Sequence, residues 1–168
     1  MIRVVSYNIR AGLGTDGVRS IRRIAEVLSV LAADVVCLQE VDQHVPRSWL
    51  ANQPKYLSTR LGMQAAFQKN VHFASGAYGN AILAKPAISD CRCHPLPGTG
   101  EPRGLLEVIA PLDGHEVHIF CTHLGLDEDE RVEPVRLTEP EIDGMIGRNE
   151  IKDAKTFAAW HLWKARRK

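Results

Sequence analysis

The chain has 168 residues, of which 45% are hydrophobic and 24% charged, so it can bury one hydrophobic core of ordinary size. Its 21 lysines and arginines nearly balance 20 aspartates and glutamates, which gives a net charge of +1. This charge excludes the strong positive field of a protein that coats nucleic acid, but it does not exclude a local basic patch. The sequence shows neither a signal-peptide pattern nor a stretch of membrane-spanning length, so we expect a cytoplasmic protein.

A strand followed by a helix is predicted for the N-terminal part. The β-rich run at residues 2–7 ends at Asn8, and a glycine-containing loop follows it. Thr15 and Asp16 supply N-cap chemistry for the helix. The apolar positions of this helix recur every three or four residues: Val18, Ile21, Ile24, Ala25, Leu28 and Leu31.

The next strand ends abruptly in polar residues. Residues 35–38 are all apolar and leave no polar face for water, so we predict a strand buried on both faces. Glu40 then lies at the carboxyl end of this strand, where ligands bind in open α/β sheets, and is a candidate metal ligand or acid–base group. The commoner alternative is a surface glutamate at the start of a loop. The strand–helix–strand order predicts a right-handed unit whose two strands are parallel or share one sheet.

The middle of the chain is predicted to be mostly β. A short helix at residues 54–61 ends at Gly62. We predict strands at residues 63–68, 78–84, 105–109 and 116–121. The last two form an antiparallel hairpin. We predict irregular structure at residues 71–76, as a loop or ragged strand, and at the proline- and glycine-rich residues 91–100, as a loop.

His123 follows the second strand of the hairpin and repeats the pattern of Asn8 and Glu40, a polar residue at the end of a buried strand. A lone histidine is more often structural, but three such strand ends favour one shared site.

The four cysteines divide into two kinds. Cys37 and Cys121 lie in apolar runs and are typical of small core residues. Cys91, Cys93 and His94 form a cluster in the predicted loop. We expect no structural zinc there, because a fourth ligand and the usual two-residue spacer are missing.

Five short motifs occur in order along the chain, at residues 5–9, 34–41, 78–83, 101–104 and 122–124. Together they resemble the endonuclease/exonuclease/phosphatase superfamily of Mg²⁺-dependent phosphoesterases. The resemblance implies an α/β fold, the DNase I-like four-layer α/β/β/α sandwich, formed by residues 1–130 and incomplete at the C-terminus. It also implies hydrolysis of phosphodiester or phosphomonoester bonds.

The resemblance assigns roles to individual residues. Glu40 matches the ligand of Mg²⁺, for which Mn²⁺ is a possible substitute, because hard cations prefer oxygen ligands. Asn8 matches the residue that orients the metal-bound phosphate through its side-chain amide. His123 matches the histidine that hydrogen-bonds the phosphate or the leaving oxygen, as donor or general acid.

Three further residues match less specific positions. Tyr78 and Asn80 fall where family members place polar groups that line the catalytic cleft. Arg103 resembles a phosphate-contacting arginine, a task that suits its planar fork of donors, although a surface arginine is nearly as common in such a sequence.

Two family motifs are absent from the sequence, Gly-Asp-x-Asn and Ser-Asp-His. We therefore expect a truncated or frameshifted chain, millimolar Mg²⁺ affinity and turnover lowered about 100-fold or more for want of a general base. The alternative is an inactive fragment, or a module that binds a phosphate ligand or a protein. The substrate stays open among small phosphodiesters, phospholipid headgroups and nucleic acid.

Residues 131–168 differ in character from the preceding part and are predicted to be a divergent tail. Phe157, Trp160, Trp163 and the stem of Lys164 could line one face of a short basic amphipathic helix. The alternative is a poorly ordered tail, since about a dozen residues form only a marginal helix alone.

Overall fold

A computed structural model describes residues 2–97, residues 100–124 and residue 140. Met1–His123 form one compact unit and Leu124–Lys168 a second. The second unit lies almost entirely outside the described residues, and with it the predicted boundary at residue 130 and the predicted amphipathic helix. No helix in the described part of the chain is both long and apolar enough to cross a membrane.

The first unit is built from two β-sheets. In chain order its strands are β1 (Val4–Asn8), β2 (Val35–Gln43), β3 (Gln64–His72), β4 (Ala77–Ala84), β5 (Asp90–Leu96), β6 (Arg103–Leu112) and β7 (His115–Thr122). Its helices are α1 (Ile21–Leu31) and α2 (Gln53–Leu61), with 3₁₀ turns at Arg10–Gly12 and Pro46–Ser48.

The strands form a four-stranded sheet with the order β1-β2-β4-β3 and a three-stranded sheet with the order β5-β6-β7. Strands β1 and β2 are parallel, as the βαβ pattern predicts, and β6 and β7 form the predicted antiparallel hairpin. The remaining neighbours within each sheet are also antiparallel.

Two apolar cores define the layers. One lies between the helices and the four-stranded sheet and includes Ile24, Leu28, Leu38, Leu57 and Leu83. The other lies between the two sheets and includes Val35, Ile82, Leu106, Val108 and Ile119. Each fully buried aliphatic side chain in these cores contributes about 1.5–3 kcal/mol to stability. The predicted α/β fold with two stacked sheets is confirmed, and its second helical layer lies outside the part of the chain that the structure describes.

The start of α1 differs from the prediction. Ser20, not Thr15 or Asp16, is the N-cap and accepts a hydrogen bond from the Arg23 amide. The polar residues before it form a turn in which Gly17 has a φ of 76° and Asp16 binds the Arg23 side chain. Val18, predicted to face the core, is therefore 52% exposed.

The β5 segment was predicted as a loop, and that prediction is wrong. Residues Asp90–Leu96 pair along their whole length with β6. Pro95 is tolerated because β5 is an edge strand, where a missing N–H on the outer side breaks no ladder hydrogen bond. Strand β3 also extends beyond its predicted end to His72, through an irregularity between Lys69 and Val71.

Helix α2 begins one residue before its predicted start, and Gly62 ends it as predicted, with a φ of 64°. Strand β4 matches its predicted range to within one residue. These elements carry strong local signals, because a left-handed C-cap favours glycine and a buried strand requires a continuous apolar run.

Candidate active site

Glu40 lies inside β2 and not at its end. The pairing of β2 with β4 is interrupted between Leu38 and Val41, and the strand then continues to Gln43. Glu40 occupies this bulge with a φ of 56°, a backbone conformation that costs a non-glycine residue about 1–3 kcal/mol. The bulge aims the carboxylate out of the regular pleat and leaves its side chain 27% exposed.

Asn8 fixes the orientation of the Glu40 carboxylate. It ends β1 opposite Gln39, so the parallel pairing of β1 and β2 brings it beside the bulge. Its Nδ2 donates to Glu40 Oε1 at 2.7 Å, and its Oδ1 accepts from the Arg10 amide at 3.0 Å. Because both ends of the amide are bonded, the side chain has one orientation and holds a donor against the carboxylate.

His123 reaches the same carboxylate from the other sheet. It follows β7 directly, and its Nε2 lies 3.8 Å from Glu40 Oε1. On its other side, Arg103 Nη1 lies 3.3 Å from His123 Nδ1. A guanidinium can only donate, so Nδ1 is the acceptor and a neutral ring carries its proton on Nε2, toward Glu40.

Arg103 begins β6 and extends this chain of contacts outward. Its Nη1 also donates to Glu101 Oε1 at 2.7 Å. The side chain is 22% exposed. Strands from both sheets thus bring Asn8, Glu40, His123 and Arg103 into one continuous polar cluster.

Tyr78 lies in β4 directly opposite Asp42 of β2. Burial, and then the negative charges of Glu40 and Glu101, raise the pKa of its phenol. The hydroxyl therefore keeps its proton well above neutral pH and is available as a hydrogen-bond donor near Glu40.

Asn80 is set apart from the cluster. It is 1% exposed between the two sheets, and its Nδ2 donates to the Gly104 carbonyl at 3.0 Å. Thr122 Oγ1 donates to the same carbonyl, also at 3.0 Å. Asn80 therefore connects β4 to the strands that carry Arg103 and His123, and we interpret it as a residue that positions them.

Sequence reasoning missed a second pair of charged residues beside the site. Asp42 is fully buried, and its carboxylate accepts two hydrogen bonds from Arg47, at 2.9 Å from Nε and 2.7 Å from Nη2. The Arg47 guanidinium carbon lies 4.9 Å from the centroid of the Tyr78 ring. No signal in the sequence indicates this pair, because the predicted strand stops at Glu40 and Asp42 lies beyond it, whereas in the structure β2 continues to Gln43.

Cys91, Cys93 and His94 lie on two different faces of β5. Side chains alternate along β5, so Cys91 and Cys93 share one face and His94 lies on the other. There His94 and His118 each donate to Glu107, both at 2.8 Å. Burial acts to raise the pKa of Glu107, but the hydrogen bonds from the two histidines, with the charge of Arg92, outweigh it and the pKa is lowered.

The donor set at Glu40 suits Mg²⁺ better than a metal that prefers nitrogen or sulfur ligands, such as Zn²⁺. Within residues 2–97 and 100–124, no group of three histidine, cysteine, aspartate or glutamate side chains is arranged to hold a metal ion. Mg²⁺ commonly takes one or two carboxylates and completes its shell with water and substrate phosphate. One oriented, partly exposed carboxylate flanked by donors for phosphate fits that mode of binding.

Comparison with known proteins agrees with this fold. The sequence profile described as the Endonuclease/Exonuclease/phosphatase family matches residues 5–156. The chain belongs to this family. It is 25% identical over 169 aligned positions to the uncharacterized protein YbhP of Escherichia coli K12, covering 94% of this chain and 67% of YbhP.

Two solved structures illustrate the likeness. An endonuclease/exonuclease/phosphatase from Beutenbergia cavernae is 25% identical with a TM-score of 0.59, covering 73% of this chain and 38% of that one. D. rerio TDP2, in complex with a single-strand DNA product, is 21% identical with a TM-score of 0.55, covering 77% and 48%. The chain therefore spans about two thirds of YbhP and less than half of each of these structures.

Proposed function

We propose that this chain hydrolyses phosphoester bonds with the help of Mg²⁺ held by Glu40. One observation carries the proposal: Glu40 Oε1 lies 2.7 Å from Asn8 Nδ2 and 3.8 Å from His123 Nε2. Asn8 and Glu40 lie in two strands of one sheet and His123 directly follows a strand of the other, and the backbone at Glu40 adopts a costly conformation that presents its carboxylate to this site.

Each residue has a role that its contacts support. Glu40 would hold Mg²⁺, which supplies positive charge against the phosphoryl oxygens. His123 carries a proton on Nε2 that can be donated to a phosphate oxygen or to the leaving oxygen. Arg103, held by Glu101, supplies a second positive charge, and the Tyr78 hydroxyl a neutral donor.

Family membership and the net charge of the chain support the substrate class that we propose. D. rerio TDP2 was crystallised with a single-strand DNA product, which supports nucleic acid as one substrate class for this chain. The net charge of +1 favours a small contact area over a long nucleic-acid track. We propose small phosphodiesters, phospholipid headgroups or short nucleic acid as substrates and the cytoplasm as the location.

Hydrolysis of bis(p-nitrophenyl) phosphate tests the proposal. The purified chain should release p-nitrophenol with Mg²⁺ and lose that activity with EDTA or in Glu40→Gln, by about 100-fold or more. Glu26→Gln is the matched control, because Glu26 is an exposed carboxylate that pairs with Arg22 on α1. Activity that survives Glu40→Gln would contradict the metal assignment. Absence of turnover combined with saturable binding of inorganic phosphate would favour the alternative, a phosphate-binding module.

A further inference from the structure

A buried carboxylate holds an arginine at the edge of the proposed site. Asp42 is fully buried, and the backbone around it is fixed, because its amide donates to Gln53 Oε1 at 2.9 Å and Gln53 Nε2 donates to the Ala11 carbonyl at 2.9 Å. A buried carboxylate is costly unless it is paired, and the two parallel hydrogen bonds from Arg47 satisfy both of its oxygens. The buried Asp42 carboxylate therefore fixes the orientation of the Arg47 guanidinium.

This arginine lies against the tyrosine of the site. Its guanidinium carbon is 4.9 Å from the Tyr78 ring centroid, which is within the range of a cation–π contact. Tyr78 faces Asp42 directly across the β2–β4 pairing, and Asp42 is two residues from Glu40. Asp42, Arg47 and Tyr78 thus form a connected series of contacts, and the negative charge of Glu40 acts on the Tyr78 phenol.

We propose that Asp42 and Arg47 form a positioning pair that fixes the Tyr78 ring, and with it the phenol oxygen, beside Glu40. The inference rests on the proposed function, because it gives Tyr78 a task as a phosphate donor. Two oxygens of Asp42 prevent rotation of the guanidinium, and the flat guanidinium then restricts the ring. A lysine would keep the positive charge and lose both restraints.

The first test needs no turnover. The chain has three tyrosines, so a spectrum of the protein labelled with ¹³C-tyrosine is simple, and Tyr78→Phe identifies the Tyr78 signals. In Arg47→Lys the ring signals of Tyr78 should shift or broaden, and those of Tyr7 and Tyr56 should not. Arg23→Lys is the matched control, because Arg23 also binds an aspartate through two hydrogen bonds, but its partner Asp16 is exposed whereas Asp42 is fully buried. Unchanged Tyr78 signals in Arg47→Lys would overturn the proposal.

A double-mutant cycle then tests whether the pair acts through Tyr78. Arg47→Lys should lower kcat about 10- to 100-fold with little change in KM, the scale of a donor misplaced by about 1 Å. In the Tyr78→Phe background the same substitution should change kcat less than twofold. Additive losses would show that Arg47 acts independently of Tyr78 and would overturn the proposal. If the wild-type chain has no turnover, the proposed function fails, and the tyrosine spectra alone decide whether the positioning pair exists.

Discussion

Gly79 lies between Tyr78 and Asn80, and the fold leaves no room for a side chain there. A Cβ built on Gly79 would come within 1.9 Å of the Gln68 carbonyl oxygen and 3.0 Å of the Asn70 amide nitrogen. Both atoms belong to the backbone of β3, so no side-chain rotation can relieve the contact. Strands β3 and β4 would have to separate by about 1 Å beside the irregularity in β3.

Gly79→Ala should therefore destabilise the protein by about 3 kcal/mol. Overpacking costs about 1–3 kcal/mol, and the separated strands also lose one or two ladder hydrogen bonds at about 1 kcal/mol each. Urea unfolding followed by circular dichroism measures the loss. Gly17→Ala is the control, because Gly17 has a φ of 76° with no atom near its missing Cβ, and should cost only about 1 kcal/mol. Equal losses in the two variants would refute the steric reasoning.

Three further predictions concern charge. Hydrogen bonds from Arg23 and from a backbone amide lower the pKa of Asp16 from 3.8 to about 2. The contribution of Asp16 to stability should therefore be present above pH 3.8 and be lost as the pH falls through 2. A carboxyl NMR titration with Asp16→Asn as reference checks this pKa. Burial and then the negative charge of Glu40 raise the pKa of Tyr78, so Glu40→Gln should lower that pKa, and an absorbance titration with Tyr78→Phe as reference checks this. Asn8→Asp places a second carboxylate where a donor lies 2.7 Å from Glu40, so calorimetric titration should show tighter Mg²⁺ binding while turnover falls.

The sequence predicts those parts of the fold that depend on continuous local patterns. Residues 35–38 have no polar member, and this alone indicates the central strand and its burial. The bulge at Glu40 depends on how β2 pairs with β4, which no local pattern records. Strand β5 was missed for a similar reason, since its two exposed faces and its proline are permitted only by its position at the edge of a sheet.

The residues of the candidate site were predictable to a different extent. Asn8, Glu40 and His123 were identified because each follows a predicted strand, and the structure brings their side chains together. Of these three strands, β2 is buried along most of its length, whereas β1 is exposed or half-buried and β7 is buried only at Ile119 and Cys121. Arg47 resembles any arginine in a surface loop, and only the three-dimensional contact with buried Asp42 distinguishes it. Asn80 has the sequence context of a cleft residue, but its side chain is buried between the sheets.

Paramagnetic broadening by Mn²⁺ tests the metal site at Glu40 most directly. Mn²⁺ occupies oxygen sites suited to Mg²⁺ and broadens the NMR signals of nearby nuclei. In the wild-type chain, the side-chain amide of Asn8 should broaden first, because it donates to Glu40 at 2.7 Å, while the amide of Val35, five residues away at the start of β2, should broaden less. In Glu40→Gln the Asn8 signal should stay sharp at the same Mn²⁺ concentration. Broadening of Asn8 that persists in Glu40→Gln, or that begins elsewhere in the wild-type chain, would contradict the assignment of this site.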